Sequence, residues 1–210
     1  MPKMNVLYVA AAGALLVNSA YAANLIKNGS FEKPVVTAGG YEQFSTGDTF
    51  AGWKVVGATG NVAIASGAFE QGGFTFPAAG GSQWLDLTGN SNTATGVAQT
   101  VATTVGTAYT LTFYIGNVDD PGGVWGTTSK VNVFVDGTQV YAATNSRGAG
   151  QTKLVWQKFS TTITATSEHT TIAFMNGDPP TDNSNGLDLI SLVEEADEEP
   201  AAVPQPRVQD

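Results

Sequence analysis

Along residues 109–115 the apolar positions recur every second residue. Leu111, Phe113 and Ile115 share one face of an extended chain, and Tyr114 points to the other. Residues 130–135 repeat the pattern, with Val131, Val133 and Val135 on one face and Asn132 and Phe134 on the opposite one. Asp136-Gly137 follows directly, a dipeptide that tolerates positive φ at both positions, and it predicts a hairpin turn into residues 138–143. Phe159, Thr161 and Ile163 alternate in a long strand that begins near Leu154, and residues 170–176 and 187–193 supply the last two strands. Upstream, residues 53–56, 61–64, 83–87 and 97–101 are short strand candidates. Beyond the first twenty or so residues no long segment has a helical apolar period. Many short strands separated by glycine-rich turns predict an all-β protein, a sandwich or barrel.

The two ends read differently. Lys3, the apolar run 6–17 and the small-x-small sequence Ala20-Tyr21-Ala22 have the form of a secretory signal, residues 1–22, with a run too short to span a membrane comfortably. Cleavage after Ala22 leaves one domain, 23–193, ample for a single core. Residues 194–210 are acidic and then proline-rich, with Pro200, Pro204 and Pro206, and are expected to be a disordered tail.

The chain has no cysteine, so disulfides and thiolate metal sites are excluded. Its formal charge is −9, and six acids against Arg207 place about half of that charge in the tail. An acidic balance argues against nucleic acid and anionic membranes as partners, and is compatible with neutral glycans or divalent cations.

Residues 24–32, Asn-Leu-Ile-Lys-Asn-Gly-Ser-Phe-Glu, are followed by Phe50-Ala51-Gly52-Trp53, by 81–89 (Gly-Ser-Gln-Trp-Leu-Asp-Leu-Thr-Gly), by Gln99-Thr100 with 109–113, and by Leu187-Asp188. In this order they resemble the choice-of-anchor C group of bacterial exported proteins. That group is similar to plant cell-wall domains of unknown function and, more distantly, to carbohydrate-binding modules of families 4, 9 and 22. The resemblance implies a galactose-binding-like jelly-roll β-sandwich in a secreted or cell-surface protein. Two departures stand out: plant members carry cysteines, and Val203-Pro204-Gln205-Pro206 resembles only the beginning of a bacterial sorting signal.

The same resemblance implies a structural calcium ion where the first and last strands meet, held by Glu32 and Asp188 with Ser30 as a backbone ligand. Hard cations prefer several oxygen ligands, and two carboxylates from distant sequence repel unless something lies between them. The alternative is that both are ordinary surface or turn acids. The run Asp182-Asn183-Ser184-Asn185-Gly186 invites an EF-hand reading, but aligning Gly186 with the obligatory glycine puts Thr181 first and Leu192 last, where acids are required. A solvated Asn/Asp turn is expected there instead.

Trp53 and Phe159 read as core. Trp84 and Asp86 oppose Leu85 and Leu87, so the outward set contains Trp84, Tyr114 and Phe134 with Asp86 and Asn132 as polar neighbours. Aromatic rings stack on the apolar faces of sugars, and directed polar groups meet their hydroxyls. These residues, with Trp125 on a glycine-rich tip, are the candidate ligand-binding set. The alternative is that a loop such as 67–79 covers the rings and makes a second small core. His169, the sole histidine, falls at a turn without a nucleophile or metal motif, and no spacing selects Asp86 with Glu70 or Asp136 as a glycosidase pair. The function expected is therefore a non-catalytic module for a cell-wall or extracellular polysaccharide, with a structural, matrix or adhesion protein acting through protein contacts as the second reading. Whether Trp84, Tyr114 and Phe134 form one open face separates the two.

Overall fold

A computed structural model describes residues 22–196; the expected export signal, apart from Ala22, and residues 197–210 of the expected tail lie outside the described residues. All regular structure within them is β: β1 (Tyr41–Ser45), β2 (Thr49–Phe50), β3 (Trp53–Gly57), β4 (Asn61–Ser66), β5 (Glu70–Gln71), β6 (Phe74–Thr75), β7 (Gln83–Asp86), β8 (Thr95–Ala102), β9 (Ala108–Asn117), β10 (Ser129–Val135), β11 (Thr138–Asn145), β12 (Val155–Thr164), β13 (His169–Asn176) and β14 (Gly186–Glu194). Two six-stranded antiparallel sheets, ordered β1-β4-β7-β14-β9-β12 and β11-β10-β13-β8-β3-β2, form a jelly-roll sandwich, and β5-β6 is a separate hairpin.

Period-two patterning decides which side chains fill the space between the sheets. Leu111, Phe113 and Ile115 of β9, Val131 and Val133 of β10 and Ile172 and Phe174 of β13 are all buried there. Phe174 sits at the centre, with its ring centroid 5.2 Å from that of Phe113 and 6.3 Å from that of Trp53. Phe159 stacks on Phe113 from the edge strand β12. Trp53 is core as expected, and its indole N–H donates to the Asn28 carbonyl. Asp136 and Gly137 turn between β10 and β11 with φ of 49° and 82°.

The opening motif ties the start of the domain to its last strand. Leu25 N–H donates to the Leu192 carbonyl, and Ile190 N–H to that of Gly29. Glycine is required at position 29, because a Cβ there would lie 2.2 Å from the Ile190 oxygen. The last strand runs to Glu194, one residue into the expected tail, and Glu195 accepts the hydroxyls of Thr110 and Thr162. β1, β2 and the β5-β6 hairpin were not expected from the sequence. β1 matters most, because it forms the edge of the first sheet beside the cleft described next.

Candidate functional site

The pairing register lines up two rows across the outer face of the first sheet. One row runs Tyr41, Ala65, Trp84, and the other Gln43, Ala63, Asp86, Gly186, Gly116, Trp156. The glycines in the second row leave a trough that the Trp156 indole occupies. A Cβ at Gly186 or Gly116 would stand 2.8 and 3.0 Å from that ring. Trp84 and Trp156 meet edge to face at 6.0 Å, and each donates its indole N–H to the loop above, to Phe76 O at 3.0 Å and Pro77 O at 2.8 Å. The segment 67–82 is thereby drawn onto the sheet. Phe76 stacks on Trp84, and with Ala65, Val118 and Leu154 they form a second apolar cluster outside the main core.

Trp84 is 3% exposed with its only donor engaged, so it is a core residue of this cluster and not an open platform. The covering loop is the alternative the sequence left open. Tyr114 lies on the far side of that loop, in a shallow groove with Pro77, Ala78 and Trp156. Asn132 and Phe134 belong to β10 and project from the outer face of the second sheet, across the whole sandwich from Trp84. Parity alone placed these residues outward, but it could not say from which sheet.

Two of the expected residues do meet. Asp86 and Trp125 line a cleft of about 300 Å³ between the loop 67–82, the tip 118–128 and the edge strand β1. An aromatic chain leads from solvent into it: Tyr41, 56% exposed, lies 5.7 Å from Phe69, Phe69 5.5 Å from Phe76, and Phe76 4.9 Å from Trp125. Val124 stands exposed on the opposite lip. Gln43, Gln71, Asn90, Asn183 and Ser184 supply polar lining. Ser184 Oγ is buried and has no hydrogen-bond partner. Asp86 Oδ1 accepts from the hydroxyl of Thr88 at 2.6 Å and from its N–H at 3.0 Å, and burial nevertheless pushes the carboxyl up to about 6. It is the only carboxylate lining the cleft among the described residues; Glu70 is exposed on β5, and Asp136 is in the β10-β11 turn. His169 is exposed at the start of β13. Tyr41 and Gln43 were not expected from the sequence, although Phe44 packs on the core from the other face of β1 and the alternation is present.

Glu32 and Asp188 are brought to the same turn. Glu32 Oε1 accepts the N–H groups of Ser82 and Gln83, while Asp188 Oδ2 accepts those of Ala79 and Gly80 and Oδ1 that of Leu189. Burial, with the Glu32 charge adding to it, pushes Asp188 up to about 7. Five backbone N–H groups thus hold the pair. Glu32 Oε2 and the second lone pair of Asp188 Oδ1 are the oxygens left for a cation. Ser30 is half-buried in the adjoining turn. Among the described residues no group of three or more His, Asp or Glu side chains converges on a metal-sized space.

The segment expected to be a solvated turn is buried. Asp182, Ser184 and Asn185 are 6%, 2% and 0% exposed. Asp182 Oδ2 accepts from the N–H groups of Thr127 and Thr128, fixing the 118–128 tip, and Asn183 Nδ2 donates to the Val124 carbonyl. Asn185 Nδ2 reaches the Lys130 carbonyl and Asn176 Oδ1. A run of Asn, Asp and Ser resembles a surface turn, but here its side chains substitute for backbone pairing between loops.

A family model described as "Protein of unknown function (DUF642)" matches residues 24–188. No curated protein matches the chain. Among solved structures, the CBM22-1 xylan-binding domain of Paenibacillus barcinonensis Xyn10C is 16% identical, with a TM-score of 0.46 over 76% of this chain and 97% of that one. A family 35 carbohydrate-binding module from Clostridium thermocellum is 14% identical, with a TM-score of 0.43 over 73% and 97%. An isomalto-dextranase from Arthrobacter globiformis T6, complexed with panose, is 17% identical, with a TM-score of 0.45 over 74% of this chain; the chain spans 23% of that enzyme's length.

Proposed function

The chain belongs to the DUF642 family, and we propose that it is an exported, non-catalytic module that binds a neutral polysaccharide of a cell wall or extracellular matrix in the cleft beside β1. The observation that carries this reading is the cleft's composition: an exposed tyrosine and a half-buried tryptophan on its walls, with one carboxylate and the side-chain amides of Gln43 and Asn90 as polar lining. Sugar rings offer apolar faces to Tyr41 and Trp125. Their hydroxyls donate to Asp86 and meet Gln43 and Asn90. A single carboxylate in the cleft supports binding over glycoside hydrolysis, which uses two.

Trp84, Tyr114 and Phe134 do not form one open face, and that favours the second reading, a structural or adhesion protein. The bare outer face of the second sheet supports it, with Val56, Phe134 and Met175 half-buried there. Titration calorimetry against neutral oligosaccharides, chosen from a glycan array, separates the two. Binding that falls at least tenfold in Tyr41→Ala and Trp125→Ala, with thermal melting unchanged, supports the glycan reading. No binding to any glycan at millimolar ligand overturns it.

We also propose that Glu32 and Asp188, with the Ser30 carbonyl, hold a calcium ion. The ion would offset the repulsion between two carboxylates fixed at one turn. An ion bound only by the folded chain stabilises it by about 2.7 kcal/mol at a hundredfold excess over Kd. Melting in chelator, calcium and magnesium tests this. Asp188→Asn is expected to lose most of the calcium shift while still folding, and curves that coincide in all three buffers remove the ion.

A further inference from the structure

A strand at the rim of a sheet presents unpaired backbone N–H and C=O groups, and folded domains guard such rims with charge, proline or shortness. Three of the four sheet edges are guarded in this way. β2 has two residues, β1 has five with Glu42 among them, and β12 carries Lys158. β11 is the exception. Its eight residues, Thr138–Asn145, include neither a charge nor a proline, and among the described residues none of its backbone groups bonds outside the pairing with β10. A bulge at Val140 is its one guard, and the register with β10 is regular from Tyr141 to Asn145.

The core is open along the same side. Tyr141 of β11 and Phe159 of β12 both rest on Phe113, with ring centroids at 6.4 and 5.9 Å, yet both are only half-buried. Val140, on the same strand, is 47% exposed. The strand is also complementary to itself. Asp136 precedes it and Arg147 follows it, both exposed. A two-fold axis at Ala142 runs two copies of β11 antiparallel and sets Arg147 of one opposite Gly137 of the other, next to Asp136. Opposite charges then meet at both ends and no like charges meet between them. The chain's formal charge of −9 opposes association of copies, so a charge-free strand with complementary ends is where two can approach. We propose that β11 pairs antiparallel with β11 of a second copy of this chain, joining the two second sheets across a two-fold axis and covering the rim at Tyr141.

The pairing has a consequence for the cleft. β11 lies beside β12, and β1 is the opposite edge of the sheet that β12 closes. The cleft beside β1 therefore lies away from the junction and stays open in both copies. Such a dimer is bivalent, and it holds a surface of repeated ligands more tightly than one copy does. The pairing itself does not rest on the glycan reading, since the protein alone is the probe.

The test is sedimentation equilibrium of the intact chain from micromolar to submillimolar protein, where a reversible dimer is expected. Ala142 is exposed, and Ala142→Lys puts two ammonium groups side by side across the axis. Its dimer affinity should fall at least tenfold, with the melting of dilute protein unchanged. Arg147→Glu sets like charges together at both ends and should weaken the dimer about three- to tenfold at low salt, less at high salt. Ser160→Lys, exposed on the β12 edge, should leave it unaltered. A monomer at every concentration overturns the proposal and leaves this edge to a strand of another protein. So does a dimer that Ala142→Lys and Arg147→Glu leave intact, or one that Ser160→Lys dissolves.

Discussion

The outer faces of the two sheets were built by the same rule and ended in different states. In both, alternation sends one side chain in two away from the core, and both receive aromatic residues: Trp84 and Trp156 on the first, Phe134 on the second. On the first face a sixteen-residue excursion, 67–82, crosses the rings and is fixed by two indole N–H bonds to its carbonyls. On the second nothing comparable crosses among the described residues, and Phe134 stays half-buried. An outward aromatic is therefore not a platform by virtue of its parity. It becomes core, cleft wall or bare surface according to which loop passes over it.

Substitutions sharpen that contrast. Trp84→Ala opens a cavity in the second cluster and is expected to destabilise the fold by about 3–5 kcal/mol in urea denaturation, whereas Phe134→Ala should cost well under half of that. Equal effects would mean that the covering loop contributes no real core. Asp86 gives the next largest effect. Its folded pKa, about 6, lies above the ordinary carboxylate value of 3.8, so the folded state holds the proton more tightly. The stability this contributes is fully present below the unfolded pKa and is lost as pH rises through about 6. In chelator, Asp86→Asn should remove that part of the pH dependence and leave the variant more stable than wild type at pH 8, by on the order of 1–3 kcal/mol. A variant whose stability follows the wild-type curve at every pH contradicts this.

Trp156→Phe removes the bond to Pro77 O together with the outer ring atoms that fill the trough over Gly116 and Gly186, and should cost about 1–2 kcal/mol, with faster hydrogen exchange in 67–82 than elsewhere. Exchange that rises evenly over the domain would show that the indole does not anchor the loop. At the small end, Asn132→Ala on the bare face should leave stability within about 0.5 kcal/mol and glycan affinity unchanged. An affinity loss there would move the ligand to the second sheet.

Much of the sandwich was legible in the sequence. Strands from 53 onward, the Asp136-Gly137 hairpin, the buried Trp53 and the inward faces of β9, β10 and β13 all follow from alternation and turn chemistry, because a side chain's face depends on its immediate neighbours along the strand. The two-residue strands β2, β5 and β6 were not legible, since so short a run carries no period.

The candidate site was legible only in pieces. Asp86 and Trp125 were found, but Tyr114, Asn132 and Phe134 were grouped with them on parity that did not distinguish the sheets. Tyr41 and Gln43 were missed on the unrecognised edge strand. The loop 177–186 misled most: its Asn, Asp and Ser content is that of a solvated turn, and the fold buries much of it behind the cleft. What the sequence determined by itself was the local geometry, which residues turn outward and where the chain reverses. What the tertiary structure alone decided was which outward residues meet, because that depends on strand order, register and the path of loops between residues far apart in the chain. Those long-range pairings leave no period in the sequence, and they place an aromatic in a core, a cleft or open water.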